Sequence, residues 1–156
     1  MNRQMTENEA LARAASYCSA SEHCREEINE KLRRWGIAPD VAERIMDRLE
    51  AEKYIDDERF CRAYVNDKFR FSKWGKKKIA QGLYQKKIPA EAVCRYLDEI
   101  DDEHYLSVLR ELLRAKRKSV RAENEYERNA KLARFAMSRG FEWEYIRQCI
   151  DLNEED

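Results

Sequence analysis

The chain has 156 residues, 40% of them charged and 10% aromatic, with four Gly and two Pro, which is the composition of exposed helical surfaces rather than of a disordered segment. Lysine and arginine balance aspartate and glutamate at 31 each, so the formal net charge is zero and bulk charge gives no reason to expect a polyanionic partner. No apolar run approaches the length that spans a bilayer and Met1–Glu7 has no apolar signal core, so a soluble cytoplasmic protein is expected, with no membrane contact.

Along the chain one helical pattern recurs three times. In residues 6–53 a landmark Leu32-Arg33-Arg34-Trp35-Gly36-Ile37 is followed by apolar residues at helical spacing, Val41, Ile45 and Leu49. Residues 54–99 open on Ile55-Asp56-Asp57-Glu58-Arg59-Phe60, reach the landmark again at Leu83-Tyr84-Gln85-Lys86-Lys87-Ile88, and continue through Ala92, Tyr96 and Ile100. Residues 100–152 open on the matching Ile100-Asp101-Asp102-Glu103-His104-Tyr105, carry Ala136-Met137-Ser138-Arg139-Gly140-Phe141, and end with Tyr145, Cys149 and Ile150. Each copy reads as helix, helix, helix, so the expected fold is all-α, three tandem three-helix repeats with about nine helices.

The breakers agree. Pro39 and Pro89 suit a first helical turn, and Gly36 and Gly140 stand where a helix ends on a left-handed residue. The pairs Asp56-Asp57 and Asp101-Asp102 stand where helices begin, as caps that also favour the positive end of the dipole. The third repeat has extra residues at about 119–125, expected to lengthen its first helix or the loop after it.

Catalytic signatures are lacking. Cys18, Cys24, Cys61, Cys94 and Cys149 form no Cys-x-x-Cys and read as small buried thiols; Cys18, His23 and Cys24 do not make a metal site with His104 in another repeat. Gly75-Lys76 lacks the rest of a phosphate-binding loop, the aspartate pairs are explained as caps, and no nucleophile stands beside a base. The chain is therefore expected to be no enzyme, with no catalytic residue, metal or cofactor.

Charge placement is more informative. From Lys68 to Ile88 there are eight basic residues and no acid: Lys68, Arg70, Lys73, Lys76, Lys77, Lys78, Lys86 and Lys87. A second basic stretch runs through Arg110, Arg114, Lys116, Arg117, Lys118 and Arg121, while acids collect at Asp98–Glu103 and Asp151–Asp156. A stretch of that length without compensating acids points to a face for phosphate or for an acidic protein. Of the interleaved aromatics, Phe71 follows Phe60 and Tyr64 on a core-facing stripe, and Trp74 at the helix junction is the candidate for stacking.

The segment Tyr54 to Tyr64, followed by Gly75-Lys76-Lys77-Lys78-Ile79 with Leu83 and Lys86 downstream, resembles the central repeat of the bacterial regulatory RecX family. Glu27-Ile28-Asn29-Glu30-Lys31-Leu32 through Ile37 is similar to that family's first repeat, and Lys131-Leu132-Ala133-Arg134-Phe135 through Phe141 to its third. The resemblance implies a non-enzymatic modulator of the RecA recombinase, elongated and curved, that binds the RecA filament on single-stranded DNA and inhibits its ATPase, strand-exchange and coprotease activities; a monomer is expected. Binding candidates are Lys68, Arg70, Lys73, Trp74, Lys76, Lys77, Lys78 and Lys86. A helical module that binds DNA or RNA directly through the same lysines is the alternative, and an adaptor for an unrelated partner is a third reading. Two departures from the family pattern carry structural expectations. With Cys24 where Ser is usual, Ser21 is expected to cap the following helix; with Lys87 where Gly is usual, a residue with a Cβ takes a left-handed position.

Overall fold

The computed structural model describes residues 4–150, and among them the backbone forms nine α-helices and no strand. The acidic stretch Asp151–Asp156 lies outside these residues. In chain order the helices are α1 Glu7–Ala20, α2 Arg25–Arg34, α3 Pro39–Ala51, α4 Asp57–Arg70, α5 Lys76–Gln85, α6 Ala90–Asp98, α7 Asp102–Arg117, α8 Glu125–Ser138 and α9 Trp143–Cys149.

Local chemistry starts and stops them. Thr6 and Glu9 form a capping box on α1. Asp56 accepts from the Arg59 N–H (3.1 Å) at α4, Asp101 from the His104 N–H (3.2 Å) at α7, and Asn124 from the Glu127 N–H (2.8 Å) at α8. Gly36, Lys87 and Gly140 take left-handed φ values of 76°, 61° and 95° at the ends of α2, α5 and α8, so Lys87 does hold the strained position that the landmark requires of it. Lys53 (64°) and Lys73 (57°) close α3 and α4 in the same way.

Several expectations need correction. Cys24, not Ser21, is the N-cap of α2; the Glu27 carboxylate reaches back to the Cys24 N–H (3.1 Å), while Ser21 ends α1 and bonds His23 (2.9 Å). Pro39 opens α3, but Pro89 stands one residue ahead of α6 as its N-cap. In the third helices the buried stripe begins one residue later than expected, at Ala42, Val93 and Ile146, because Val41, Ala92 and Tyr145 lie half-buried at its edge. Phe71 is 78% exposed rather than core, since the chain has already turned out of α4 there. Cys94 is exposed and Cys149 half-buried, unlike buried Cys18, Cys24 and Cys61. The extra residues of the third repeat are shared out: α7 has 16 residues against 14 in α4, and the segment after it, 118–124, exceeds its counterpart 71–75.

The chain groups into two compact units that cut across the repeats. The first runs up to Tyr64 and takes in Lys86–Ile88; the second comprises Val65–Gln85 and the chain from Pro89 onward. The first unit packs α1, α2 and α3 around Ile28, Leu32, Ile45, Met46 and Leu49, with Ile55. The second buries Ile79, Leu83, Val93, Leu109 and Ile146 and carries a ring cluster centred on Tyr105, which meets Phe69, Phe141 and Tyr145 at centroid distances of 5.7, 5.1 and 4.8 Å. No helix among the described residues is long and apolar enough to cross a membrane.

Candidate functional site

The end of α4, the turn 71–75 and the start of α5 carry seven of the eight candidate residues. Eight of the nine helices place an acid in their first turn, as the helix dipole favours; α5 alone begins Lys76-Lys77-Lys78 with no acid. Three cations at the positive end of a helix are unfavourable for that helix in isolation, so the third repeat has to stabilise the turn. The Gly75 N–H donates to the Arg139 carbonyl (2.7 Å), the Lys76 N–H to Tyr105 Oη (2.8 Å), and the Lys77 N–H to the Gly140 carbonyl (3.0 Å). These bonds satisfy donors that an isolated helix start would leave without a partner. Tyr105 Oη in turn donates to Glu142 Oε1 (2.5 Å), and burial first, then that bond, raises the phenol's pKa far above the ordinary tyrosine range.

The approach is close enough to require glycine on both sides. A Cβ at Gly75 would lie 2.3 Å from the Gly140 carbonyl carbon, and one at Gly140 would lie 2.5 Å from Lys78 Cβ.

Two of these lysines are laid over rings. Lys76 Nζ is 4.9 Å from the Tyr105 centroid, and Lys78 Nζ is 4.6 Å from that of Trp74, which Lys68 Nζ also approaches at 4.7 Å. Half-buried Trp74 is thus a platform that holds two ammonium groups. Lys73, in its left-handed conformation, pairs with Glu111 (3.5 Å). Arg70 and Lys77 are exposed; Lys76 and Lys78 are only partly so.

Lys86 belongs elsewhere. Its ammonium lies 2.9 Å from Glu27 Oε2 inside the first unit, and Glu27 Oε1 also takes the Cys24 N–H and meets His23 Nδ1 at 3.3 Å. Burial alone would raise the Glu27 pKa, but Lys86, the Cys24 N–H and His23 outweigh it and hold the carboxyl below its ordinary range. Burial would lower Lys86, and Glu27 outweighs that and raises it. His23 is further fixed by stacking on Tyr17 at 4.0 Å. Burial pushes the Cys24 thiol up to about 11, which keeps it protonated and unreactive at neutral pH.

Three residues near this turn were not among the binding candidates read from the sequence. Arg139 donates to the Ser72 carbonyl (3.2 Å) and lies 5.3 Å from the Phe135 centroid, where Lys116 Nζ lies at 4.7 Å. Phe135 therefore repeats the pattern of Trp74, one ring with two cations. Lys116 was visible only as part of a second basic stretch, and Arg139 only as the neighbour of a helix-ending glycine.

The chain has relatives. Family models for the first, second and third three-helix domains of RecX match residues 10–49, 56–97 and 102–150. The regulatory protein RecX of Chlorobium limicola is 31% identical over 147 residues, covering 93% of this chain and 89% of the relative. That of Prosthecochloris aestuarii is 32% identical over 142 residues, covering 91% of each. The crystal structure of RecX from Lactobacillus salivarius superposes with a TM-score of 0.80 at 23% identity, over 92% of this chain and 93% of that one, a likeness of fold. With three successive three-helix domains matched and a full-length relative above 30% identity, the chain belongs to the RecX family.

Proposed function

We propose that this chain is a non-enzymatic, cytoplasmic regulator of the RecA recombinase, acting as a monomer that binds the RecA filament on single-stranded DNA and inhibits its ATPase, strand-exchange and coprotease activities. The observation that carries the reading is α5: alone among the nine helices it opens on three lysines, at a turn held by Tyr105 and the α8–α9 backbone. Charge placed against a helix dipole and then supported by neighbours marks a surface kept for a partner and not for stability. Lys68 and Lys78 on Trp74, with exposed Arg70 and Lys77, make up that surface. Lys86, the remaining sequence candidate, is paired with Glu27 inside the first unit.

Co-sedimentation with RecA filaments on single-stranded DNA, formed with a slowly hydrolysed ATP analogue, tests the reading. Arg70→Glu, Lys77→Glu and Lys78→Glu together are expected to keep full helicity and weaken filament binding at least tenfold, with inhibition of the ATPase lost in parallel. Wild-type binding to bare DNA as tight as to the filament, with a salt slope that the triple variant flattens by about one unit per lost contact, would favour the direct nucleic-acid module instead.

A further inference from the structure

Counted from the left-handed residue that ends each repeat's second helix, three positions recur: three residues before it, three after and seven after. In the first repeat these are Arg33, Pro39 and Glu43, and all three line one groove of about 290 Å³ between α2 and α3. The second repeat has Tyr84, Ala90 and Cys94 at the same offsets, and the third has Met137, Trp143 and Arg147. The charged pair Arg33 and Glu43 gives way to Tyr84 and Cys94 in the second repeat and to Met137 and Arg147 in the third. Of the five large hydrophobic side chains exposed among the described residues, three fall on this register: Tyr84 at 47%, Met137 at 53% and Trp143 at 45%. Isolated exposed apolar residues need no explanation, but Tyr84 and Met137 share one offset and Trp143 takes a second in the same repeat as Met137.

The third repeat carries the pattern furthest. Met137 on α8 and Trp143 on α9 take the places of Arg33 and Pro39, on two helices that pack together. Arg147 takes the place of Glu43 and reverses the charge at the rim, and Arg134, three residues before Met137, is also exposed. An exposed tryptophan and an exposed methionine on two packed helices, with Arg134, Arg147 and the acid Glu144 also exposed there, have the composition of a protein-interface hot spot.

We infer that the α8–α9 face of the third repeat is a docking socket for an acidic helical segment of the filament protomer, which seats an apolar side chain against Met137 and Trp143 and a carboxylate against Arg147. This rests on the filament reading above and adds a second anchor, separate from the lysine turn. The charge complement is what selects an acidic partner: Arg147 lies four residues after Trp143, on the same side of α9, and an uncharged segment would offer it no counter-charge.

The test measures binding of wild type, the double variant Met137→Ala with Trp143→Ala, Arg147→Glu and Arg147→Lys to the same filaments, alongside bare single-stranded DNA and sedimentation velocity of the free protein. Expected are a loss of tenfold or more for the double variant, a loss of fivefold or more for Arg147→Glu with near-wild-type binding for Arg147→Lys, and no change in affinity for bare DNA. Arg147 is exposed, so its reversal reads the rim even if the double variant loses stability. Wild-type binding that none of these substitutions weakens overturns the socket while leaving the filament reading in place; a wild type that does not bind filaments overturns both. A matching loss on bare DNA, or a wild-type dimer that the variants dissociate, assigns the face to nucleic acid or to a second copy and also overturns the inference.

Discussion

Lys86-Lys87 and Arg139-Gly140 occupy the same position in their repeats, and each is seated on the first turn of the preceding repeat's second helix. In the first unit the seat is made of side chains: Lys86 meets Glu27 at 2.9 Å and Lys87 meets Glu26 at 3.4 Å. In the second it is made of backbone, with the Arg139 and Gly140 carbonyls accepting from Gly75 and Lys77. Ion pairs act at the length of a lysine and tolerate a Cβ at the left-handed residue; carbonyls accepting amides demand that both chains approach without one. Lysine at 87 and glycine at 140 follow from that difference, and one seat should be sensitive to pH while the other is sensitive to a methyl group.

The largest effects belong to the backbone seat. Gly75→Ala is expected to cost about 3 kcal/mol or more, since the neighbours within reach of the new Cβ are backbone atoms that cannot swing aside. Gly36→Ala, with nothing within 4 Å of the added carbon, should cost only about 1 kcal/mol for its positive φ. Urea denaturation of both variants checks the ratio; equal midpoints would mean that close approach contributes nothing.

Next comes Tyr105→Phe, which removes the acceptor of the Lys76 N–H and the donor to Glu142 without opening a cavity. About 2 kcal/mol should be lost. Hydrogen exchange should then localise the damage to the first turn of α5, and protection there as in the wild type would dissociate the phenol from the cap.

The side-chain seat predicts a smaller, pH-dependent term. Glu27 is held below its ordinary pKa, so its contribution is complete above the unfolded carboxyl value and disappears as pH falls through the depressed folded one. Lys86 is raised, so its contribution is complete below the unfolded lysine value and disappears as pH rises through the folded one. Glu27→Gln should therefore cost about 1 kcal/mol at neutral pH and progressively less on the acid side. No deficit at any pH would show that Glu27 acts only through its bond to the Cys24 N–H, since the amide oxygen of Gln can accept it too.

The smallest effect is a gain. Lys87→Gly should stabilise by about 0.5–1 kcal/mol through relief of the left-handed strain, less a small loss because the Lys87 side chain is 71% exposed in its pair with Glu26. Thermal melting decides it, and a lower midpoint would give the Glu26 pair more weight than the backbone.

Much of the fold was legible in the sequence because its signals are local: aspartates that cap α4 and α7, glycines that end α2 and α8, and apolar spacing that marks the helices. The lysine turn was legible as a run of charge. What could not be read was how each charge is used. Lys86 and Lys78 look alike in the run, yet Glu27, 59 residues earlier in the chain, claims the first and Trp74 the second. Arg139 and Tyr105 reach the turn through contacts that are distant in sequence, and no periodicity announces a phenol serving as a helix cap. Phe71 misled because helical spacing was carried one residue beyond the end of α4.

The borrowed cap has a consequence for how the chain is made. With no acid in its own first turn, and with Tyr105, Arg139 and Gly140 as the acceptors there, α5 depends on residues synthesised 29 and more positions later. On a ribosome adding roughly ten residues per second, the lysine turn should remain frayed for several seconds after it emerges, until the C-terminal repeat arrives to close it. A nascent chain arrested before Arg139 has left the exit tunnel should therefore present its lysines on unstructured backbone, so that the filament binding proposed above should appear as a late, all-or-none event in synthesis and not build up in proportion to length.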